Sequence, residues 1–283
     1  MKTVYLGTSP FAAAVLGQLC EAGQRPALVI SRPDSPSGRG RKLTAPAAVE
    51  LARELSIPVL QPEAVNDEVS CTAIAAAEPE LLIVCAYGAL IREPLLSRWP
   101  ILNLHPSLLP RWRGAAPIER AIMAGDAETG ACIMRLTAGL DSGPVSLRER
   151  LPIAPEDDYG TLAEKLEQLG GRLLVEALAL HARGELDGRF VDQPEQGVTY
   201  AEKITAEDRR LDPAMSAEQQ LLRIRALSPH IGAYQELEDG SRLGIWRARL
   251  DGGELEPLEV QPPGKRRMAY SDYQRGLRAR GGA

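Results

Sequence analysis

The chain has 283 residues, a formal net charge of −5, 44% hydrophobic residues and only 4% aromatics. That length suggests two domains with a normal core built mainly from Leu, Ala, Val and Ile. The negative total argues against indiscriminate nucleic-acid binding while leaving room for a local basic patch. Cys20, Cys71, Cys85 and Cys132 form no C-x-x-C pair and have no His at a zinc spacing, so they read as buried reduced thiols and no metal is expected. The opening segment is too short for a signal-peptide core, and no window approaches the roughly 20 apolar residues that span a bilayer. The expectation is a soluble cytoplasmic monomer with no membrane partner.

Taken in chain order, Val4 to Leu6 reads as a short strand that ends at Gly7, and Phe11 to Glu21 as a helix. Ala27 to Ile30 is a second strand. Ser31 to Pro46, rich in Pro, Gly and Ser and carrying Arg39, Arg41 and Lys42, predicts a long mobile basic loop. Leu81 to Ala86 is a solid apolar run, as expected of a strand buried on both faces. Ile101 to Leu104, Ile133 to Leu136 and Val145 to Leu147 follow as strands. Thr161 to Ala182 predicts a long helix interrupted by Gly170-Gly171. Residues 184–206 read as a linker between a catalytic domain, 1–183, and a small C-terminal domain, 207–283. In that last part Ser216 to Ala226 is a helix and Leu243 to Leu250 a strand, with no strand-like segment evident after Leu250. The tail is basic through Lys265, Arg266, Arg267, Arg275, Arg278 and Arg280. Strands alternating with helices indicate an α/β class: a Rossmann-like, mostly parallel sheet with helices on both faces, followed by a smaller β-rich domain. Sheets of this kind bind ligands beyond the carboxyl ends of their strands, which directs attention to the loops after Gly7, Tyr87, His105 and Thr137.

The segment Asn103-Leu104-His105-Pro106-Ser107-Leu108-Leu109-Pro110 lies at one such strand end. Side chains two apart on a strand share a side, so Asn103 and His105 face one space while Leu104 points into the core. The Asn amide can donate to a developing oxyanion and the imidazole can relay a proton, a pairing suited to acyl transfer through a tetrahedral intermediate. The alternative is a pair of polar residues that caps a strand end. Leu109-Pro110 could be cis. Gly139-Leu140-Asp141-Ser142-Gly143 places a carboxylate in a Gly-bounded turn; such an Asp is either an ordinary turn residue or the partner of His105. Gly7 stands alone, without a G-x-G-x-x-G fingerprint, so a nicotinamide oxidoreductase is disfavoured.

Asn103-x-His105-Pro106-Ser107-Leu108-Leu109-Pro110 followed by the Asp141-Ser142-Gly143 turn resembles the folate-dependent formyltransferases. Several further segments narrow the resemblance to the group that formylates methionyl-tRNA. They are Gly7-Thr8 with Phe11-Ala12, Arg32-Pro33-Asp34, Gly38-Arg39-Gly40, Ala86-Tyr87-Gly88, Arg111 to Ile118, and Thr199 to Lys203. The resemblance is dense over about residues 1 to 230. It implies 10-formyltetrahydrofolate as co-substrate and the initiator methionyl-tRNA as acceptor and partner, in translation initiation. It also implies a catalytic trio of Asn103, His105 and Asp141. Carried over, Ala86, Tyr87, Ser107, Leu108, Leu109 and Pro110 would line the folate site, Phe11 would lie near the methionyl side chain, and Arg39, Arg41 and Lys42 would meet the tRNA acceptor end. Two features depart from the family pattern: Ser9-Pro10 replaces a Pro plus acidic pair, and only about 75 residues follow Glu207, which implies a trimmed C-terminal barrel.

Other readings share part of this pattern. A formyltransferase that acts on a small amine such as a nucleotide amino sugar would use the same trio without the basic loop and tail. A non-catalytic tRNA- or folate-binding protein has no need of all three residues. A formyl-folate hydrolase would use water in place of the amine.

Overall fold

The structure is a computed structural model that describes residues 1–37 and 42–281. It divides into two compact units. The first comprises residues 1–115, 130–151 and 164–200; the second comprises 116–129, 152–163 and the chain from 201 onward. In chain order the elements are β1 Thr3–Gly7, α1 Pro10–Glu21, β2 Leu28–Ile30, β3 Ser35–Ser37, β4 Lys42–Thr44, α2 Ala47–Glu54, β5 Val59–Leu60 and α3 Glu68–Ala76. There follow β6 Leu81–Cys85, α4 Leu95–Arg98, β7 Ile101–His105, β8 Arg113–Gly114, α5 Pro117–Met123, β9 Glu128–Arg135, β10 Val145–Pro152 and α6 Tyr159–Ala182. The chain closes with β11 Tyr200–Ala201, α7 Ala217–Leu227, β12 Ala233–Glu236, β13 Arg242–Asp251, β14 Glu254–Gln261, β15 Met268–Ala269 and α8 Tyr270–Gly281.

The first unit is built on a sheet in the order β10-β9-β7-β6-β1-β2-β5. Pairing is parallel from β7 through β6, β1 and β2 to β5 and antiparallel between β7 and β9. The apolar strands are buried on both faces, as their unbroken hydrophobic runs require. Val4, Leu6, Leu28, Ile30, Leu82, Val84 and Ile101 project from one face into a single cluster with Cys71 and Ile74 of α3 and Leu95 of α4. On the other face Tyr5 donates its hydroxyl to the Ala12 carbonyl of α1 at 2.7 Å, and Leu104 meets α6. Helices therefore cover both faces. Ser9 caps α1 by accepting from the Ala12 N–H at 3.2 Å, and Pro10 occupies a first-turn position where no donor is needed.

Several expectations change in the structure. The helix over 161–182 runs unbroken from Tyr159. Its two glycines are there for contact: a Cβ on Gly170 would approach Leu104 Cδ2 to 2.8 Å, and one on Gly171 would strike the Gln18 side-chain oxygen at 2.1 Å. The close approach of α6 outweighs the helix penalty of glycine, roughly 1 kcal/mol each. The Ser31 to Pro46 stretch is not structureless, because β3 and β4 pair antiparallel within it. Arg39 and Arg41 lie outside the described residues. A Cβ on Gly7 would sit 2.6 Å from the Tyr5 ring and 2.8 Å from Ala12 Cβ, so packing alone accounts for this glycine.

The second unit holds an antiparallel sheet in the order β12-β13-β14-β15. Two of these strands, β14 and β15, lie beyond Leu250, where the sequence pattern had suggested none. Pro257, Pro262 and Pro263, with glutamates unevenly spaced at 254, 256 and 259, mask their periodicity. Among the described residues these strands form one four-stranded antiparallel sheet. Its core joins Leu211, Ile224, Leu227, Ala233, Leu243, Ile245 and Val260. A reciprocal capping box between Ser216 and Gln219 starts α7, which packs against α5. No helix among the described residues is long and apolar enough to cross a membrane.

Candidate active site

The strand β7 carries Asn103 and His105 on the face that holds Ile101, with Leu104 opposite. Both polar side chains are almost closed off, at 7% and 4% exposure. Backbone pairing fixes their depth: Asn103 lies opposite Val84 of β6 and Met134 of β9, and His105 lies opposite Cys132. The Asp141 turn joins β9 to β10 and brings the carboxylate to them. Asp141 Oδ1 accepts from Asn103 Nδ2 at 3.5 Å, the outer limit of a hydrogen bond. Asp141 Oδ2 stands 3.8 Å from His105 Nδ1 and accepts from the Gly114 backbone N–H at 2.8 Å. Three groups separated along the chain thus converge.

The imidazole has a defined orientation. His105 Nε2 is 2.8 Å from the Trp112 carbonyl oxygen. A carbonyl can only accept, so Nε2 carries a hydrogen. The nitrogen that takes or releases the second proton is therefore Nδ1, which faces Asp141. Asp141 itself adopts φ +42° and Trp112 φ +64°, left-handed conformations that are uncommon outside glycine and that surrounding contacts must hold. Gly143 makes part of that possible: a Cβ there would meet the Arg135 carbonyl oxygen at 1.9 Å.

The loop after β7 supports the site more than it opens it. Ser107 is fully buried; its N–H donates to the His105 carbonyl at 2.9 Å and its hydroxyl to the Arg111 carbonyl at 2.6 Å. Leu109 packs with Cys132, Met134 and Val145, and the Leu109-Pro110 bond is cis. Leu108 and Pro110 remain partly exposed. Gly130 leaves room for Leu108, since a Cβ there would lie 2.6 Å from Leu108 Cδ2. After β6, Ala86 is exposed with φ +44° and Gly88 has φ +77°. Tyr87 turns inward, is 3% exposed and joins the core cluster. Burial pushes its phenol up to about 12, against the opposing charge of Arg32. Any ligand at this bend meets its backbone rather than the Tyr87 ring. Thr8 steadies the bend by donating its hydroxyl to the Tyr87 carbonyl at 2.7 Å. Phe11 is 6% exposed on the first turn of α1, and Lys42 is exposed on β4.

With this geometry in view, residues 1–178 match the formyl transferase family. The chain is 45% identical to the methionyl-tRNA formyltransferase of Dechloromonas aromatica, over 90% of this chain and 82% of that one. The chain belongs to the methionyl-tRNA formyltransferase family. Solved structures agree on the fold. The methionyl-tRNA formyltransferase from Clostridium thermocellum superposes with a TM-score of 0.62 at 14% identity, over 93% of this chain and 98% of that one. HypX from Aquifex aeolicus in complex with tetrahydrofolic acid superposes at 0.65 and 16% identity, over 96% of this chain and 46% of that one.

Four supporting groups of this formyltransferase escaped the sequence reading: the Trp112 carbonyl, the Gly114 N–H, Thr199 and Gln193. Two are backbone atoms, which residue type does not reveal. Thr199 Oγ1 accepts from the Trp112 N–H at 2.9 Å. Gln193 lies in a polar, Pro- and Gly-containing stretch that reads as a linker, and nothing in its neighbours signals a contact.

Proposed function

We propose that this enzyme transfers the formyl group of 10-formyltetrahydrofolate to the free amino group of methionyl-initiator-tRNA. The observation that carries this reading is the convergence of Asn103 and His105 on the Asp141 carboxylate, at 3.5 and 3.8 Å, at the carboxyl end of a buried strand. Asn103 has two amide hydrogens; with one directed at Asp141, the second is available to the formyl oxygen as charge develops there. The His105–Asp141 pair takes up the proton that the attacking amine loses, and a proton is delivered to the folate nitrogen as its bond to the formyl carbon breaks; Nδ1 and Oδ2 face each other and Nε2 is fixed by the Trp112 carbonyl. Burial of Asn103 and His105 excludes water, which both strengthens these interactions and limits hydrolysis.

The folate co-substrate is assigned to the exposed backbone bend of Ala86 and Gly88, with Leu108 and Pro110 beside the reacting residues. Ser107, Leu109 and the ring of Tyr87 act there by shaping the loops. Phe11 is assigned to the methionyl side chain, and Lys42 with Arg39 and Arg41 to tRNA phosphates, where their charge supplies affinity without base reading. We place the enzyme in the cytoplasm and expect it to act as a monomer.

Incubation with 10-formyltetrahydrofolate and charged initiator tRNA should yield formylmethionyl-tRNA. Formylation of an amino-sugar nucleotide with none of the charged tRNA would replace this reading with that of a small-molecule formyltransferase.

A further inference from the structure

We propose that Gln193 is a positioning residue for formyl transfer, a side-chain clamp that sets the Asp141 turn against the strand that grips the Asp141 carboxylate. The proposal rests on the reading of Asp141 as a reacting group. Gln193 Nε2 donates to the Asp141 carbonyl and to the Gly143 carbonyl, each at 2.8 Å. Its Oε1 accepts from Arg113 Nε at 3.0 Å. One primary amide therefore commits both hydrogens to the main chain of the turn and its oxygen to β8. The next residue of β8, Gly114, gives the N–H that holds Asp141 Oδ2. The amide thus links the backbone on which Asp141 is mounted to the side chain of Arg113, the residue next to the Gly114 N–H that aims its carboxylate.

The linkage has a reason to exist. Asp141 sits at positive φ, between Leu140, which is 55% exposed, and a partly exposed Ser142. Nothing in a short exposed turn would by itself hold a carboxylate to within a few tenths of an ångström of its working position, and misplacement on the order of 1 Å costs about 10²-fold in rate. The segment that carries Gln193 is anchored on both sides. Val191 exchanges two backbone hydrogen bonds with Val145, at 2.9 and 3.0 Å, and Thr199 receives the Trp112 N–H. Residues 191–199 therefore form a strap across the turn and the His105-binding loop.

The test compares kcat and KM for Gln193→Met, which keeps the length and loses every hydrogen bond, and Gln193→Glu, which keeps the Arg113 contact and sets an acceptor against two carbonyls. Both are made in wild-type and Asp141→Asn backgrounds, with formylation of charged tRNA by the unmodified enzyme as the control. We expect each substitution in the wild-type background to lower kcat by about tenfold to a hundredfold with KM for both substrates within about twofold. In the Asp141→Asn background the same substitutions should change kcat by less than about twofold, because the clamp then has no carboxylate to aim. Equal losses in both backgrounds, a loss confined to KM, or unchanged kcat in both single variants would overturn the proposal. An inactive unmodified enzyme would instead count against the functional reading. Should Gln193→Met unfold, Gln193→Glu alone carries the comparison, since its ion pair with Arg113 retains the strap.

Discussion

Asp141 in the first unit and Asp208 in the second have nearly equal side-chain exposure, 15% and 17%. Their donors differ. Asp208 Oδ1 accepts from Arg120 Nη1 at 2.6 Å; Oδ2 accepts from Arg120 Nη2 at 3.1 Å and from the backbone N–H and hydroxyl of Thr205 at 2.8 and 2.9 Å. Burial works against its charge, but the hydrogen bonds from Arg120 and Thr205, with the Arg120 charge behind them, hold the carboxyl at about 2. Asp141 has one short contact to its carboxylate, from Gly114, and beyond it an imidazole and an amide at longer range. A carboxylate held by several donors, a guanidinium among them, stays an anion and ties a chain together. One that keeps a side open toward a titratable ring can exchange a proton. Exposure alone does not separate the two; the donor count does.

The largest expected effect breaks the site side of this comparison. Asp141→Asn, His105→Ala and Asn103→Ala should each lower turnover by about 10²–10⁴-fold, measured as formylation rate at saturating substrates. Circular dichroism and the unfolding midpoint should stay near those of the unsubstituted enzyme. Near-normal rates in all three would remove the site assignment.

The next effect concerns stability. Asp208→Asn should leave turnover per folded molecule within about twofold while lowering unfolding free energy by about 1–3 kcal/mol at neutral pH. The sign of its pH dependence follows from a folded-state value of about 2 that lies below the ordinary 3.8. The stabilisation is complete above 3.8 and is lost as the pH falls through about 2. Urea titrations of the two proteins should therefore diverge at neutral pH and approach each other in that acid window. A gap that persists unchanged below it would show that the loss is packing rather than charge.

The smallest effect sharpens the same contrast from the opposite direction. Burial pushes the thiol of Cys132, which pairs with His105 across the sheet, up to about 11, and that of Cys85 to about 12. Both should resist alkylation in the native protein, while partly exposed Cys20 reacts first. Asp141→Asn should leave Cys132 as protected as before. Faster labelling would mean that this substitution loosens β7 and β9 rather than removing a proton acceptor.

Much of the molecule is legible in the amino-acid sequence. The solid apolar run from Leu81 to Ala86 announced a buried parallel strand, because only a strand covered on both faces tolerates it, and Ile101 to Leu104 announced its neighbour. Period two along Ile101 to His105 placed Asn103 beside His105, and a Gly-bounded Asp marked the third member. What misled was local punctuation. Gly170-Gly171 looks like a helix break until Leu104 and Gln18 are seen against it, and prolines with glutamates hid β14.

The amino-acid order by itself determined the α/β class and the strands that frame the site, since burial and side-chain direction follow from periodicity along one stretch of chain; the family resemblance singled out Asn103, His105 and Asp141. Only the tertiary structure decided how those groups are aimed. The Trp112 carbonyl acts from within the loop after β7, while the Gly114 N–H and the two donors of Gln193 act across long stretches of chain. A backbone donor carries no residue signature, and an amide in a polar segment shows its partners only once the chain has closed around it.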